Sequence, residues 1–258
     1  MPFSLSDEAQ AKSGVGVRVS GGLEFRPKLS DKIRLESSVS IQRTEYQGKS
    51  FDDTIVSGFA GPRFNINGAS LRIGINAFRR WYGVELLNDG VGVNLGYRRR
   101  LTSKLEGAIS LTRQNISYDK TPSKNGILLS VLGNITYARS AVNNIGFKVG
   151  INKSNAKVEH EENVAYRLGV STSHKLPQAL TVKIIGDLTL REFDAIHPTF
   201  GVRRSDKLYS INIDLAKRNI FVFGMIPMLR ASYSISSSNI PLFDYTRYQA
   251  GLAFVKLF

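Results

Sequence analysis

The chain has 258 residues, no cysteine, and 35 Lys+Arg against 21 Asp+Glu, for a formal net charge of +14. The missing thiols exclude disulfides, thiolate metal sites and cysteine nucleophiles. With a mean hydropathy of −0.14 and no apolar run near the ~20 residues a membrane helix needs, a helical membrane protein is excluded as well. A β-barrel is not, because a strand with one apolar and one polar face averages to neutral hydropathy. The cations are spread along the chain in alternation with apolar residues, so no compact basic patch points to nucleic acid. No Pro/Ser/Gly linker or compositional shift divides residues 13–258, which read as a single domain. MPFSLSDEAQ lacks the basic and apolar regions of a secretory leader, so an exported protein is expected to be represented here by a mature fragment.

Thirteen segments alternate with the period of a strand. In the first, Val15, Val17, Val19, Leu23 and Phe25 oppose Arg18, Ser20, Glu24 and Arg26. The second sets Ile33, Leu35, Val39 and Ile41 against Arg34, Glu36, Ser38 and Gln42. A looser third runs from Ile55 to Phe64, and the fourth carries Leu71, Ile73, Ile75 and Ala77 before the aromatics Phe78, Trp81 and Tyr82. The fifth and sixth centre on Val91–Tyr97 and Leu105–Leu111. Segments near 126–138, 145–153, 164–173 and 180–191 keep the rule, and the last three centre on Tyr209–Leu215, Met228–Ile235 and Tyr248–Phe258. Short connections are predicted near Lys28–Asp31, Asn65–Gly68, Thr102–Ser103, Ser140–Asn143, Lys175–Gln178 and Lys217–Ile220. Longer ones are predicted near Tyr46–Asp53, Leu86–Gly90, Tyr118–Asn125, Ser154–Glu162, Phe193–Ser205 and Ser236–Phe243. Alternating turns and loops of this kind suit a transmembrane meander with the short set in the periplasm.

The polar faces orient the strands. Arg18, Arg34, Arg72, Lys148, Arg167, Lys183 and Arg191 fall in mid-strand, where a lipid-facing cation would cost ~2–4 kcal/mol near the midplane. They are expected to face a wet interior together with Glu24, Glu36, Glu106, Asp187 and Asp214, paired across strands.

The chain ends on Tyr248, Ala250, Leu252, Phe254, Lys256 and Phe258 alternating with Arg247, Gln249 and Gly251. An amphipathic last strand of a soluble sandwich would also read this way. It resembles the C-terminal signal by which bacterial outer-membrane barrels are handed to their assembly machinery, with Gln249, Gly251, Phe254 and Phe258 in the signal positions and Lys256 departing from the pattern. The fold class predicted is therefore all-β, an antiparallel up-and-down outer-membrane β-barrel. Such barrels close with an even number of strands. Fourteen are expected, with residues 1–12 a truncated first strand followed by an extracellular loop.

Arg204–Tyr209, Gly224–Leu229, Ser238–Pro241, Tyr245, Arg247, the FVKLF terminus and the earlier Arg79–Gly83 resemble the C-terminal barrel of the surface lipoprotein assembly modifier family. The resemblance implies an outer-membrane translocon that assists export and surface display of lipoproteins or related secreted clients. It also implies a periplasmic tetratricopeptide-repeat domain ahead of the barrel. The expected partners are the client, that repeat domain, the barrel-assembly machinery and outer-membrane lipids including lipopolysaccharide, with no nucleic acid and no cofactor. Arg79, Arg80, Trp81 and Tyr82 are candidates for a lumen or rim feature that meets client, and Trp81 and Tyr82 also suit an interfacial belt. Arg204, Asp206 and Arg247 are candidates for an ionic cluster at the outer rim, and Ser238–Pro241 for a turn fixed by Asn and Pro.

A passive porin shares the fold and is the alternative reading. No enzyme is predicted, because a base and nucleophile must converge. Of the three histidines, His160 and His197 fall in loops and His174 beside a turn, without a readable serine or metal-ligand partner. A pairing of His197 with Asp52–Asp53 is the arrangement closest to an outer-membrane protease.

Overall fold

The computed structural model describes residues 15–46, 51–222 and 224–255. Thirteen antiparallel strands follow one another in chain order and form one sheet curled into a nearly closed barrel. They are β1 (Gly16–Phe25), β2 (Ile33–Tyr46), β3 (Asp53–Ile66), β4 (Ala69–Tyr82), β5 (Glu85–Arg100), β6 (Leu105–Tyr118), β7 (Gly126–Ser140), β8 (Asn143–Ala156), β9 (Asn163–Lys175), β10 (Leu180–Ile196), β11 (Arg203–Lys217), β12 (Ile226–Ser238) and β13 (Tyr245–Val255). Residues 1–12 and Phe258, assigned from the sequence to a first strand and to the terminal signal, lie outside the described residues.

The period of two is set by two different solvents. Among the described residues the buried apolar side chains are Ala165, Phe193 and Ile240, while long aliphatics such as Val149 (59% exposed), Phe147 (54%) and Leu168 (52%) cover the outside. A water-soluble sheet would turn that face inward, so the outward band is a lipid-facing one. Arg18, Arg72, Lys148, Arg167, Lys183 and Arg191 all fall on the opposite, inward face by register, as do Glu24, Glu36, Glu106, Asp187 and Asp214. The predicted cross-strand pairs form there: Arg63–Glu36 at 2.7 Å, Lys148–Asp187 at 2.5 Å, Arg98–Glu106 at 3.5 Å and Arg230–Asp214 at 3.3 Å.

Connections depart from the predicted alternation. Among the described residues, one end of the barrel holds 51–52, 83–84, 119–125, 157–162, 197–202 and 239–244, and the other holds 26–32, 67–68, 101–104, 141–142, 176–179, 218–222 and 224–225. Leu86–Gly90, predicted as a loop, belongs to β5, because the hairpin closes earlier at Gly83 (φ +63°), a left-handed position that glycine adopts freely. The surplus residue is absorbed as a bulge where Arg80 pairs with Asn88 and Trp81 with Leu86. Lys217–Ile220 likewise opens into 218–225, with Gly224 left-handed at φ +73° and a Val222–Met225 bridge. What separates the ends is the 3-10 turns Pro122–Lys124, Glu159–Glu161 and Pro241–Phe243, all in the first set. We call this the loop end and the other the turn end.

Close strand approach on the inward face depends on glycine. A Cβ on Gly61 would fall 2.0 Å from the Ile73 carbonyl oxygen, and one on Gly92 2.1 Å from that of Arg113. Gly61→Val and Gly92→Val each force backbone apart, at about 3 kcal/mol or more, and should reduce the heat-modifiable folded band on semi-native gels to a minor fraction. Gly186→Ala, in open space outward on β10, should leave that band intact. Val149→Arg on the lipid face of β8 should cost ~2–4 kcal/mol in refolding into bilayers, measured by denaturant titration.

Candidate functional site

The inward wall is the largest polar surface that the strands form. On β12 every second residue toward it is Ser232, Ser234, Ser236 or Ser238, flanked in register by Ser210 and Asn212 of β11 and by Gln249 of β13. At the other margin of the sheet, Ser20 of β1, Ser38, Ser40 and Gln42 of β2 and Ser57 of β3 continue the same chemistry. Two contacts lock it, Ser40 Oγ to Ser57 Oγ at 2.8 Å and Ser232 Oγ donating to Gln249 Oε1 at 3.3 Å. Hydroxyls and amides at this spacing offer hydrogen bonds of either polarity to an extended chain without fixing any sequence.

Aromatic rings furnish part of the wall on β3 and β4. Phe59 lies across Gly74 and Phe78 across Gly90, where a Cβ would come within 2.5 Å of each ring. The Arg72 guanidinium sits 4.3 Å from the Phe59 ring centroid and donates to Asn94 Oδ1 at 3.1 Å. The cation is thus held by a ring face and an amide, a partly buried arrangement that favours guanidinium over ammonium.

The loop end of β9–β13 is clamped. Asp206, 6% exposed, accepts two hydrogen-bonded contacts from Arg204 at 2.8 and 2.9 Å, and Arg191 approaches at 4.0 Å. The Arg204 guanidinium lies 3.3 Å from the Phe243 centroid and 4.7 Å from that of Phe193. His197 and Phe200 extend the aromatic group at 4.9 Å, and His160 meets His197 at 5.7 Å. Asn239 ties the connection down, accepting from the Ser205 N–H at 2.8 Å and donating to the Arg203 carbonyl at 2.7 Å, while Ile240 is buried to 1%. Ser238–Pro241 is therefore the Asn- and Pro-fixed turn expected.

Arg247 does not join this cluster. It pairs with Ser234, two residues into β13, and its guanidinium lies over Tyr245 at 5.3 Å, so Arg191 is the second cation at Asp206 instead. The Arg79–Tyr82 group is split by strand alternation. Arg80 faces inward and holds Asp53 through two bonds at 2.8 and 2.9 Å, whereas Arg79 faces outward to Asp89 at 3.2 Å. Trp81 shares the outward face with Arg79, between Thr54 and Leu86, which is a belt position, and Tyr82, 43% exposed, is inward by register at the hairpin. Gln249 and Gly251 face inward, and Phe254 faces outward at 44% exposure beside Leu252.

The aromatic partners of Arg204 escaped sequence reasoning because Phe193 and Phe243 sit fifty residues apart at loop margins, where no periodicity marks them. Asp52 and Asp53 are engaged elsewhere than with His197. The Asp52 carboxylate accepts from the Tyr46 N–H at 2.7 Å, Asp53 holds Arg80, and His197 packs on Phe200.

No curated protein matches the chain. Among solved structures, a bacterial polysaccharide outer membrane secretin is similar at 10% identity and a TM-score of 0.48, over 93% of this chain and 77% of that one. The family model described as surface lipoprotein assembly modifier matches residues 3–258. That span takes in the whole strand meander, including the Arg204–Asp206 clamp and the Asn239 turn. The chain belongs to the surface lipoprotein assembly modifier family, as a β-barrel of the bacterial outer membrane with a role in assembling lipoproteins at the cell surface.

Proposed function

We propose that this barrel is the conduit through which a client lipoprotein, or a related secreted client, crosses the outer membrane. The observation that carries the reading is the wall itself. Some of its charges are paired across strands, as in Lys148–Asp187 and Arg230–Asp214, others rest on hydroxyls, amides or rings, as Arg18 and Arg72 do, and its two margins are lined with serine, asparagine and glutamine. At those two margins an unfolded client meets many weak hydrogen-bonding partners to slide on. Among the connections between described strands, none at the loop end exceeds the seven residues of 119–125, which is short for an inward-folded porin constriction. The role is non-enzymatic.

In this reading the loop end faces the exterior, and β13 runs from outside to periplasm. β1 runs the same way, because an even number of antiparallel steps separates it from β13. The two margins therefore suit one further strand of opposite direction between them, the fourteenth. The outward Phe254 and Leu252 of β13 offer the barrel-assembly machinery its docking face. A repeat domain on the periplasmic side would deliver the client to the turn end.

The clamp at Asp206 sets the shape of the mouth. Asp206→Ala leaves Arg204 and Arg191 facing each other without their carboxylate, and we expect a loss of about 2–3 kcal/mol, moderated by the 39% exposure of the Arg191 side chain. The readout is faster protease cleavage at 197–202 and 239–244 in intact cells.

For the conduit itself, a photo-crosslinking amino acid at Ser234 should capture client during export, and one at Val149 on the lipid face should not. Deletion of the full-length protein should abolish client display by protease shaving. Unchanged display, or equal crosslinking from both positions, would sink the proposal. Large, steady single-channel currents from the purified barrel would favour a porin.

A further inference from the structure

Outward-facing cations near the loop end fall into two kinds. Arg43 is neutralised by Glu45 at 2.6 Å and Arg79 by Asp89 at 3.2 Å. Arg113 of β6 and Lys153 of β8 are exposed, and no carboxylate pairs with either among the described residues. Their neighbourhood supplies none: β7, β8 and β9 contain no Asp or Glu at all, and the one acid of β6, Glu106, faces inward to Arg98.

Register sets the two cations side by side. Arg113 pairs with Leu129 of β7, and Leu129 pairs with Lys153 of β8, so both cations flank one leucine on the lipid face. Two strand spacings put their Cα atoms roughly 10 Å apart, within common reach of two long, flexible side chains. On each strand the cation lies one outward step beyond the last aliphatic residue, Leu111 on β6 and Ile151 on β8. Toward the loop end the outward residues of these two strands turn polar, with Asn115 and Ser117 on β6 and Asn155 on β8, and Ile127 of β7 lies between them. Arg113 and Lys153 therefore stand at the boundary between acyl chains and headgroups, where a cation keeps its charge only with water or an anion beside it.

We propose that Arg113 and Lys153 form a binding site for the phosphorylated headgroup of an outer-leaflet glycolipid, lipopolysaccharide, whose acyl chains lie along Leu111, Leu129 and Ile151. Arginine supplies a bidentate fork to phosphate, and lysine a point charge beside it. The exposed aliphatic side chains Leu111, Leu129 and Ile151 supply the apolar half of the ligand's footprint. The site rests on the loop end facing outward, as the conduit reading has it, but not on the passage of client.

The test uses the purified chain in detergent and native mass spectrometry, with lipopolysaccharide as probe. Arg113→Gln/Lys153→Gln should weaken retention on the order of tenfold, while Arg113→Lys keeps most of it and Arg139→Gln, an outward cation at the turn end, changes nothing. The unaltered protein should retain enzymatically dephosphorylated lipopolysaccharide on the order of tenfold less than the intact form, a comparison that holds even where a variant folds poorly. Equal retention of the dephosphorylated form, full retention by a folded double variant, or equal competition by phosphatidylglycerol would each overturn the site. Orientation is checked separately: because the chain has no cysteine, Lys120→Cys gives a unique label site for an impermeant maleimide on intact cells. Labelling with no lipopolysaccharide binding refutes the site alone, and no labelling refutes the orientation beneath it.

Discussion

In hydrocarbon, every backbone N–H and C=O left without a partner costs several kcal/mol, and the chain has no water there to relieve it. The structure follows from that constraint. Each strand from β2 to β12 is bonded on both sides, the bulge at Arg80–Trp81 sits at the loop end, and the 3-10 turns fall in connections outside the strands. Because ladder bonds are satisfied by neighbours and not by side chains, the side chains are free to serve two solvents. Outward positions hold mostly valine, isoleucine and leucine, and inward positions hold serine, asparagine and charges, some of them paired across strands.

The inward charges follow from the same separation. A lone arginine in a narrow polar lumen is poorly hydrated, so its position is stable where a carboxylate stands opposite on the next strand. Lys148 and Asp187 show the geometry: they are brought together across Gly169, whose missing side chain leaves room for both. Arg204 solves the problem differently, with one carboxylate and two phenylalanine faces, at the point where strands give way to connections.

Strand existence and facing were legible in the sequence because lipid outside and water inside enforce a strict period of two, as in Val182, Ile184 and Leu188 against Lys183 and Asp187. The strand ends were less so. Asn88–Asp89–Gly90 carries a turn signal, yet it lies within β5, since Asp89 meets Arg79 and Gly90 receives the Phe78 ring. Cross-strand contacts outweighed local propensity there. The clamp was half legible: Arg204, Asp206 and Asn239 stood out as motif residues, but Phe193, Phe243 and Arg191 join them only through register, and Arg247, expected in the same rim cluster, stands opposite Ser234 instead. The family was legible from motifs that include the Arg204–Asp206 clamp and the Asn239 turn.

Each of the twelve ladders joins strands adjacent in the chain. Pairing therefore closes only short loops, and the entropy lost at each step is small and alike. Such a sheet can be assembled hairpin by hairpin, each new strand templated by the exposed edge of the one before it. The one step without a local template is the joining of the two margins. The kinetic barrier to a finished barrel is thus concentrated at a single seam, and the same seam is where a finished barrel is easiest to reopen.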